Sequence, residues 1–318
     1  MIFSSTRMRQ ALAIVAVIAG LAACGGGTSQ QEAFVPQRLL VFGDETSLIS
    51  PTGLKYSING FSVQADGTVA PDCTAMPNWV QSLASLYGFV FAECNPNHVE
   101  TPQARMLALE GAKVADITIQ LDAQIAAGGF RDKDLVTMLA GANDILDLYS
   151  QFPGRTEDDL LNEARARGKA LAEQVNRLVD YGAKVILATV PDMGLTPFAI
   201  KQRVEFGDID RAKLLSDLTA AFNEQLGVNI LLDGRFIGLV QADLRMQAMS
   251  RSPVSFGVAN VTNAACLDSA VLPACDTSTL VDGANGQSWM WADDLHLAYT
   301  AQQQIAALAI DRARRNPF

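Results

Sequence analysis

Two imidazoles occur in the chain, His98 and His296, so chemistry that needs a nitrogen base near neutral pH has two candidates. His296 closes the run Trp291-Ala292-Asp293-Asp294-Leu295-His296, with Asp293 three residues before it. On one turn of chain that carboxylate can accept the Nδ1 proton, fix the tautomer and leave Nε2 free as a base. His98, in Asn95-Pro96-Asn97-His98, reads as a polar loop residue. Oxyanion donors are also at hand. Asn143 follows an apolar run in Gly141-Ala142-Asn143-Asp144, and at Gly111 no Cβ obstructs approach to the backbone N–H. Each has an ordinary alternative: Asn143 or Asp144 as a helix cap, Gly111 as a turn residue, Asp293 with His296 as a surface ion pair.

These residues need a scaffold. The 318 residues are 49% hydrophobic and 18% charged, which excludes disorder and allows one large α/β domain. The net charge of -10, with no block of five or more Lys or Arg, argues against a nucleic-acid partner. Continuous apolar runs at 38–42, 135–139, 184–190 and 236–240 predict buried strands. Apolar faces at helical spacing alternate with them: Trp79 to Leu86, Ile117 to Ile125, Leu160 to Leu178, Asp210 to Leu232, and Tyr299 to Arg315. Thr156 followed by three acids predicts one helix start and Gly182 its stop. Strands alternating with helices imply parallel βαβ units in one three-layer α/β/α domain over residues 38–318. Sites in such sheets lie beyond the carboxyl ends of the strands.

At those ends stand Phe42-Gly43-Asp44-Glu45, Gly141-Ala142-Asn143-Asp144 and Pro191-Asp192-Met193-Gly194. With Leu109-Glu110-Gly111-Ala112 and Asp293-Asp294-Leu295-His296, the order resembles that of the GDSL, or SGNH, ester hydrolases. That family runs F-G-D-S after the first strand, a Gly in a second block, G-x-N-D after the third strand and D-x-x-H near the end. Phe256-Gly257 through Cys266 also resembles the family's late loop, and the resemblance covers about residues 38 to 312. It implies a mostly parallel, flavodoxin-like central sheet and hydrolysis of carboxylic esters. His296 would be the base, Asp293 its orienting partner, and Gly111 and Asn143 the oxyanion hole. No metal or organic cofactor is implied.

The chain departs from the family at its nucleophile: position 45 is Glu where the family carries Ser, and position 48 is Leu where it usually carries Asp. Each helical step turns a side chain by ~100°, so Thr46 and Ser47 would point ~100° and ~200° away from the site if a helix began here. Three readings follow. A rearranged turn recruits Ser47 or Thr46, and the protein is a serine esterase. Alternatively, Glu45 is held by the oxyanion donors and paired with His296, and the cleft is noncatalytic, binding an acyl, glycan or polymer ligand. In the third, Glu45 acts with His296 as a general base or a covalent nucleophile, the latter through a high-energy mixed anhydride.

The first residues read as processing. Arg7 and Arg9 precede an apolar run from Ala11 to Ala23 that ends Leu21-Ala22-Ala23-Cys24. This resembles the bacterial lipobox, implying a signal peptide over 1–23, lipidation of Cys24 and a tether over 24–37; an ordinary secretory signal is the alternative. Gly25 after Cys24 resembles the outer-membrane sorting pattern of Gram-negative lipoproteins, facing the periplasm. An oxidising compartment permits disulfides, and of three pairings the local ones, Cys73 with Cys94 and Cys266 with Cys275, suit loops that need restraint. Trp289 and Trp291 could line a cleft or pack in the core. Expected partners are a small-molecule, lipid or glycan ester and the membrane itself.

Overall fold

A computed structural model describes residues 34–63 and 66–318, so the signal segment, Cys24 and the tether up to residue 33 lie outside the described residues. A five-stranded sheet comprises β1 (Arg38–Gly43), β4 (Ala104–Met106), β5 (Asp134–Leu139), β6 (Lys184–Ala188) and β7 (Ile237–Val240). Its order is β4-β1-β5-β6-β7, and every neighbouring pair is parallel. Counting these strands along the chain gives 2-1-3-4-5, the flavodoxin-like order, with its switch point between β1 and β5. The short antiparallel pair β2 (Gly60–Val63) and β3 (Val69–Asp72) precedes β4, and β8 (Asn260–Ala264) and β9 (Trp289–Trp291) pair near the C-terminal end.

Strand alternation divides the core between the two faces. Leu40, Phe42, Val136, Met138, Val185 and Leu187 are buried under α2 (Val114–Ala126), α3 (Ala142–Tyr149), α4 (Glu157–Asp180) and α6 (Arg211–Asn229). Leu39, Val41, Leu135, Leu139, Ile186 and Val240 face α1 (Trp79–Leu86), α7 (Ala242–Arg251) and α8 (Tyr299–Arg315). Each fully buried aliphatic side chain contributes ~1.5–3 kcal/mol. The remaining helix, α5 (Pro197–Glu205), starts at Pro197 with Thr196 capping Ala199 N–H. The predicted cap of α4 is present: Thr156 accepts from Asp159 N–H at 3.2 Å, and Gly182, at φ +85°, donates to Val179 O beyond its last turn.

Several elements differ from the sequence expectation for local reasons. The helix expected to reach Leu232 stops at Asn229, where Ile230 turns extended. β4 is only three residues, too short to show a period, yet it supplies the second parallel strand. The predicted pairs Cys73–Cys94 and Cys266–Cys275 are both bonded, with Cα separations of 5.6 and 6.0 Å. Phe34 to Gln37, assigned to the tether, pack with the domain: Phe34 meets the Phe318 ring edge-on at 5.8 Å and Gln37 N–H donates to Lys133 O. Residues Phe34–Phe318 thus form one compact unit.

The α4–α6 packing is unusually close. A Cβ at Gly168 would lie 2.1 Å from Phe222 O, whereas one at Gly227, near the end of α6, would meet nothing within 4 Å. Gly168→Ala should therefore lower stability by ~1–3 kcal/mol through overpacking. Gly227→Ala should raise it by ~0.5–1 kcal/mol, both read from urea midpoints.

Candidate functional site

Glu45 sits in the tight turn that follows β1, closed by Ser47 N–H on Asp44 O and Leu48 N–H on Glu45 O. The turn can form because residue 43 lacks a Cβ: one there would lie 2.0 Å from Leu139 O of β5. Gln120 of α2 brackets the same glycine, accepting from Gly43 N–H at 3.1 Å and donating to Gly43 O at 3.0 Å. Sequence reasoning gives no reason to single out Gln120, since a polar residue on an amphipathic helix has no periodic signature.

The predicted site residues converge on this turn. Gly111 N–H donates to Glu45 Oε2 at 2.8 Å, and Asn143 Nδ2 donates to Oε1 and Oε2 at 3.1 and 3.0 Å. Gly111 takes φ +69°, a conformation open to glycine. Asn143 is the second residue of α3, just past the end of β5. Asp144, beside it, accepts from Val114 N–H at 2.9 Å and so caps α2 instead of its own helix. That bond, with Asn143 Nδ2 on Ala112 O at 3.3 Å, ties the Gly111 segment to the Asn143 helix.

Asp293 and His296 lie in the turn between β9 and α8. Asp293 Oδ1 accepts from Leu295 N–H at 2.9 Å and His296 N–H at 2.7 Å, which bends the chain until Nδ1 is 2.9 Å from both carboxylate oxygens. Nε2 then faces Glu45 Oε1 at 3.5 Å, ion-pair range at the outer limit of a hydrogen bond. Ser47 points the other way, fully buried, accepting from Trp79 Nε1 at 3.1 Å. The reading in which Ser47 is recruited fails because that hydroxyl is sealed under α1. Thr46 is pinned on both backbone groups, its N–H on Asp44 Oδ1 and its O accepting from Gln302 Nε2.

The electrostatics follow from this packing. Burial pulls the His296 imidazolium down, but the hydrogen bonds and charges of Asp293 and Glu45 outweigh it, and its pKa is pushed up to about 10. Burial pushes Glu45 up, while His296, its own N–H and that of Gly111 bring it below the ordinary carboxylate value. Asp293 is likewise raised by burial and lowered overall by His296. Asp44, completely buried, goes the other way: burial first, then the Glu45 charge, hold it well above the usual range. At neutral pH the row is Asp293 carboxylate, His296 imidazolium, Glu45 carboxylate. An imidazolium has no lone pair with which to act as a base.

Two residues that the motifs do not mark complete the surroundings. The Tyr56 ring lies 5.9 Å from the imidazole, and burial together with a hydrogen bond to Glu110 raises its phenol above the ordinary value. The loop carrying it is held by buried Lys55, which donates to Cys73 O at 3.1 Å and Ala75 O at 2.9 Å; burial lowers that amine to about 8. Of the other candidates, His98 is an exposed loop residue with φ 51°. Trp291 packs in the core with Nε1 on Val261 O, while Trp289 is half-buried against the cluster around Cys266 and Cys275. Among the described residues no group of three or more His, Cys, Asp or Glu is placed to hold a metal ion.

Comparison with known proteins places this geometry in context. The profile of a family described as GDSL-like Lipase/Acylhydrolase matches residues 74–309, which include Gly111, Asn143, Asp293 and His296 and begin after the Glu45 turn. No curated protein matches the sequence. Among solved structures, the lipase Lip_vut3 from a goat rumen metagenome is 12% identical, with 88% of this chain and 99% of that one covered and a TM-score of 0.49. The acetylxylan esterase Axe2 from Geobacillus stearothermophilus is 11% identical, with 88% and 96% covered and a TM-score of 0.44. A G-D-S-L family lipolytic protein from Veillonella parvula is 12% identical, with 86% and 96% covered and a TM-score of 0.44. At such values the likeness identifies no substrate.

The charge row has a measurable sign. His296, raised from its ordinary ~6.5, contributes stability that is fully present below that pH and lost as pH rises through about 10. Glu45 and Asp293, lowered from ~4, contribute stability present above that value and lost as pH falls through their depressed pKa values. The urea midpoint should decline from pH 7 to pH 10, and Glu45→Gln should flatten that decline. Nitrogen-15 NMR should find His296 doubly protonated at pH 8; a neutral ring there would refute the assignment.

Proposed function

Because the chain belongs to the GDSL-like lipase/acylhydrolase family, we propose that its cleft is an ester-hydrolase centre held shut by its own carboxylate. Glu45 stands in the place of the serine nucleophile, and the chain in this form binds ligands without turning esters over. The observation that carries this reading is that both oxyanion donors, Gly111 N–H and Asn143 Nδ2, already donate to Glu45. An ester carbonyl entering the site would have to displace a carboxylate that also pairs with His296.

The chemistry of the site argues in the same direction. Serine hydrolysis needs a hydroxyl beside a neutral imidazole; here the neighbour is an anion and the imidazole holds its proton. General-base attack by water through His296 meets the same obstacle. Asp293 remains positioned to orient the ring, and Gly111 and Asn143 to stabilise an oxyanion, once the residue between them changes. The ligand class is an acyl or glycan ester, or the carboxylate product of one. We also assign residues 1–23 to a signal peptide and Cys24 to a lipid anchor that holds the domain at a Gram-negative outer membrane, facing the periplasm. The sequence Leu21-Ala22-Ala23-Cys24-Gly25 supports that assignment.

Short p-nitrophenyl esters test the closed site. Wild type should match the uncatalysed rate, and Glu45→Ser should exceed it by ~10²-fold or more. Adding His296→Ala should abolish the gain, and adding Asn143→Ala should cut it by ~10²–10³. Wild-type turnover that disappears in His296→Ala would overturn the proposal. For the anchor, palmitate incorporated in a Gram-negative host should be lost in Cys24→Ala.

A further inference from the structure

We infer that the face at the amino ends of the strands docks on an anionic phospholipid leaflet. Because the sheet is wholly parallel, residues that open its strands share one edge. Arg38 begins β1, Lys133 immediately precedes β5, Lys184 begins β6 and Arg235 shortly precedes β7, so four adjacent strands open on a cation. The last turn of α8 reaches the same edge: Arg312 Nε donates to Leu239 O at 2.9 Å and Asn316 Nδ2 to Ile237 O at 3.0 Å. This brings Arg314 and Arg315 alongside.

The balance of charge at this edge is opposite to that of the chain, which carries -10. Arg38, Arg235 and Arg315 are neutralised by Asp134, Asp233 and Asp311. Among the described residues Arg131, Lys133, Lys184, Arg312 and Arg314 are in no ion pair, and on the segments that lead into the strands the acids outside ion pairs are Glu100, Asp132 and Asp180. A cavity of about 140 Å³ opens here, lined by Arg38, Thr101, Gln103, Arg131, Lys133 and Asp134. The Asp134 carboxylate is already engaged by Arg38 and by Arg131 N–H. The Arg131 and Lys133 side chains therefore remain for a phosphodiester headgroup. Beside the cations, Leu231 and Leu232 are exposed, the latter by 77%, as is Val35. Exposed aliphatic side chains next to unpaired cations suit a bilayer interface, where the first enter the acyl boundary and the second meet lipid phosphates.

The path of the chain selects this occupant over a soluble anion. Phe34 packs on Phe318 at this edge, and Cys24 stands ten residues earlier, a length of chain that spans at most ~36 Å. In this respect the inference rests on the lipid-anchor assignment. An anchored domain docked by this face would turn the Glu45 cleft, at the carboxyl ends of the strands, away from the membrane.

Residues 34–318, which form one compact unit and lack Cys24, separate the docking face from the anchor: loss of palmitate labelling at Cys24 leaves this experiment untouched. Co-sedimentation would use vesicles of phosphatidylethanolamine with phosphatidylglycerol, and of phosphatidylcholine alone. The domain should sediment with the anionic vesicles only and be released by salt. Arg131→Glu with Lys133→Glu should weaken binding at least ~25-fold, at about fivefold per cation. Leu231→Glu with Leu232→Glu should weaken it further while far-ultraviolet circular dichroism stays unchanged. Three results would overturn the inference: no difference between the two vesicles, indifference to the Arg131/Lys133 reversal, or displacement by inorganic phosphate beyond that caused by sodium chloride at equal ionic strength, which would mark a free-anion site.

Discussion

The approach of Gly43 to Leu139 is the constraint on which the site depends. With no room for a Cβ between β1 and the carbonyl of β5, the chain leaves the sheet in one direction, and residue 45 arrives over the switch point. Gln120 grips both polar groups of that glycine from α2, so the turn is tied to the helix that follows Gly111. Asp144 ties the start of the same helix to α3, which carries Asn143. The two donors that meet Glu45 are therefore braced against each other and against the turn.

A carboxylate in such a place has to be compensated, since isolated burial of a charge costs several kcal/mol. Here the compensation is built from groups whose geometry suits an oxyanion: a backbone N–H, a side-chain amide and an imidazolium. The neighbouring Asp44 shows the converse. Its side chain is wholly buried, with Oδ2 lacking a partner among the described residues, and it lies well above the ordinary carboxyl range. Two adjacent carboxyl groups are thus shifted in opposite directions, because Glu45 meets His296 and N–H donors while Asp44 has the Thr46 N–H to set against complete burial and the Glu45 charge.

Much of this was legible in the sequence, for physical reasons that can be named. Buried parallel strands are continuous apolar runs, so β1, β5, β6 and β7 stood out, and Thr156 with Gly182 marked the ends of α4. Asp293, His296, Asn143 and Gly111 could be selected because their types and order carry chemistry. The three residues of β4 and the hairpin of β2 and β3 were too short for periodicity to speak. Whether Ser47 faced the site depended on Trp79, a contact between residues far apart in sequence. Tyr56 and Gln120 were invisible for the same reason: their roles come from what the fold places beside them, not from neighbours along the chain. The exchange of Asp144 from its own helix to the start of another is a tertiary event of this kind.

Glu45 can also be viewed as a ligand covalently joined to its own receptor. A group on a short tether competes at an effective concentration of ~mM or above, and the rigid turn at 44–47 concentrates it further. A diffusing acid or ester that fits the cleft is opposed by this resident competitor, so its apparent affinity is its intrinsic affinity multiplied by the fraction of molecules in which Glu45 has left the site. Removing the Glu45 side chain would do more than delete one contact: it would expose the full recognition strength of Gly111, Asn143 and His296 for whatever small acid the cleft admits.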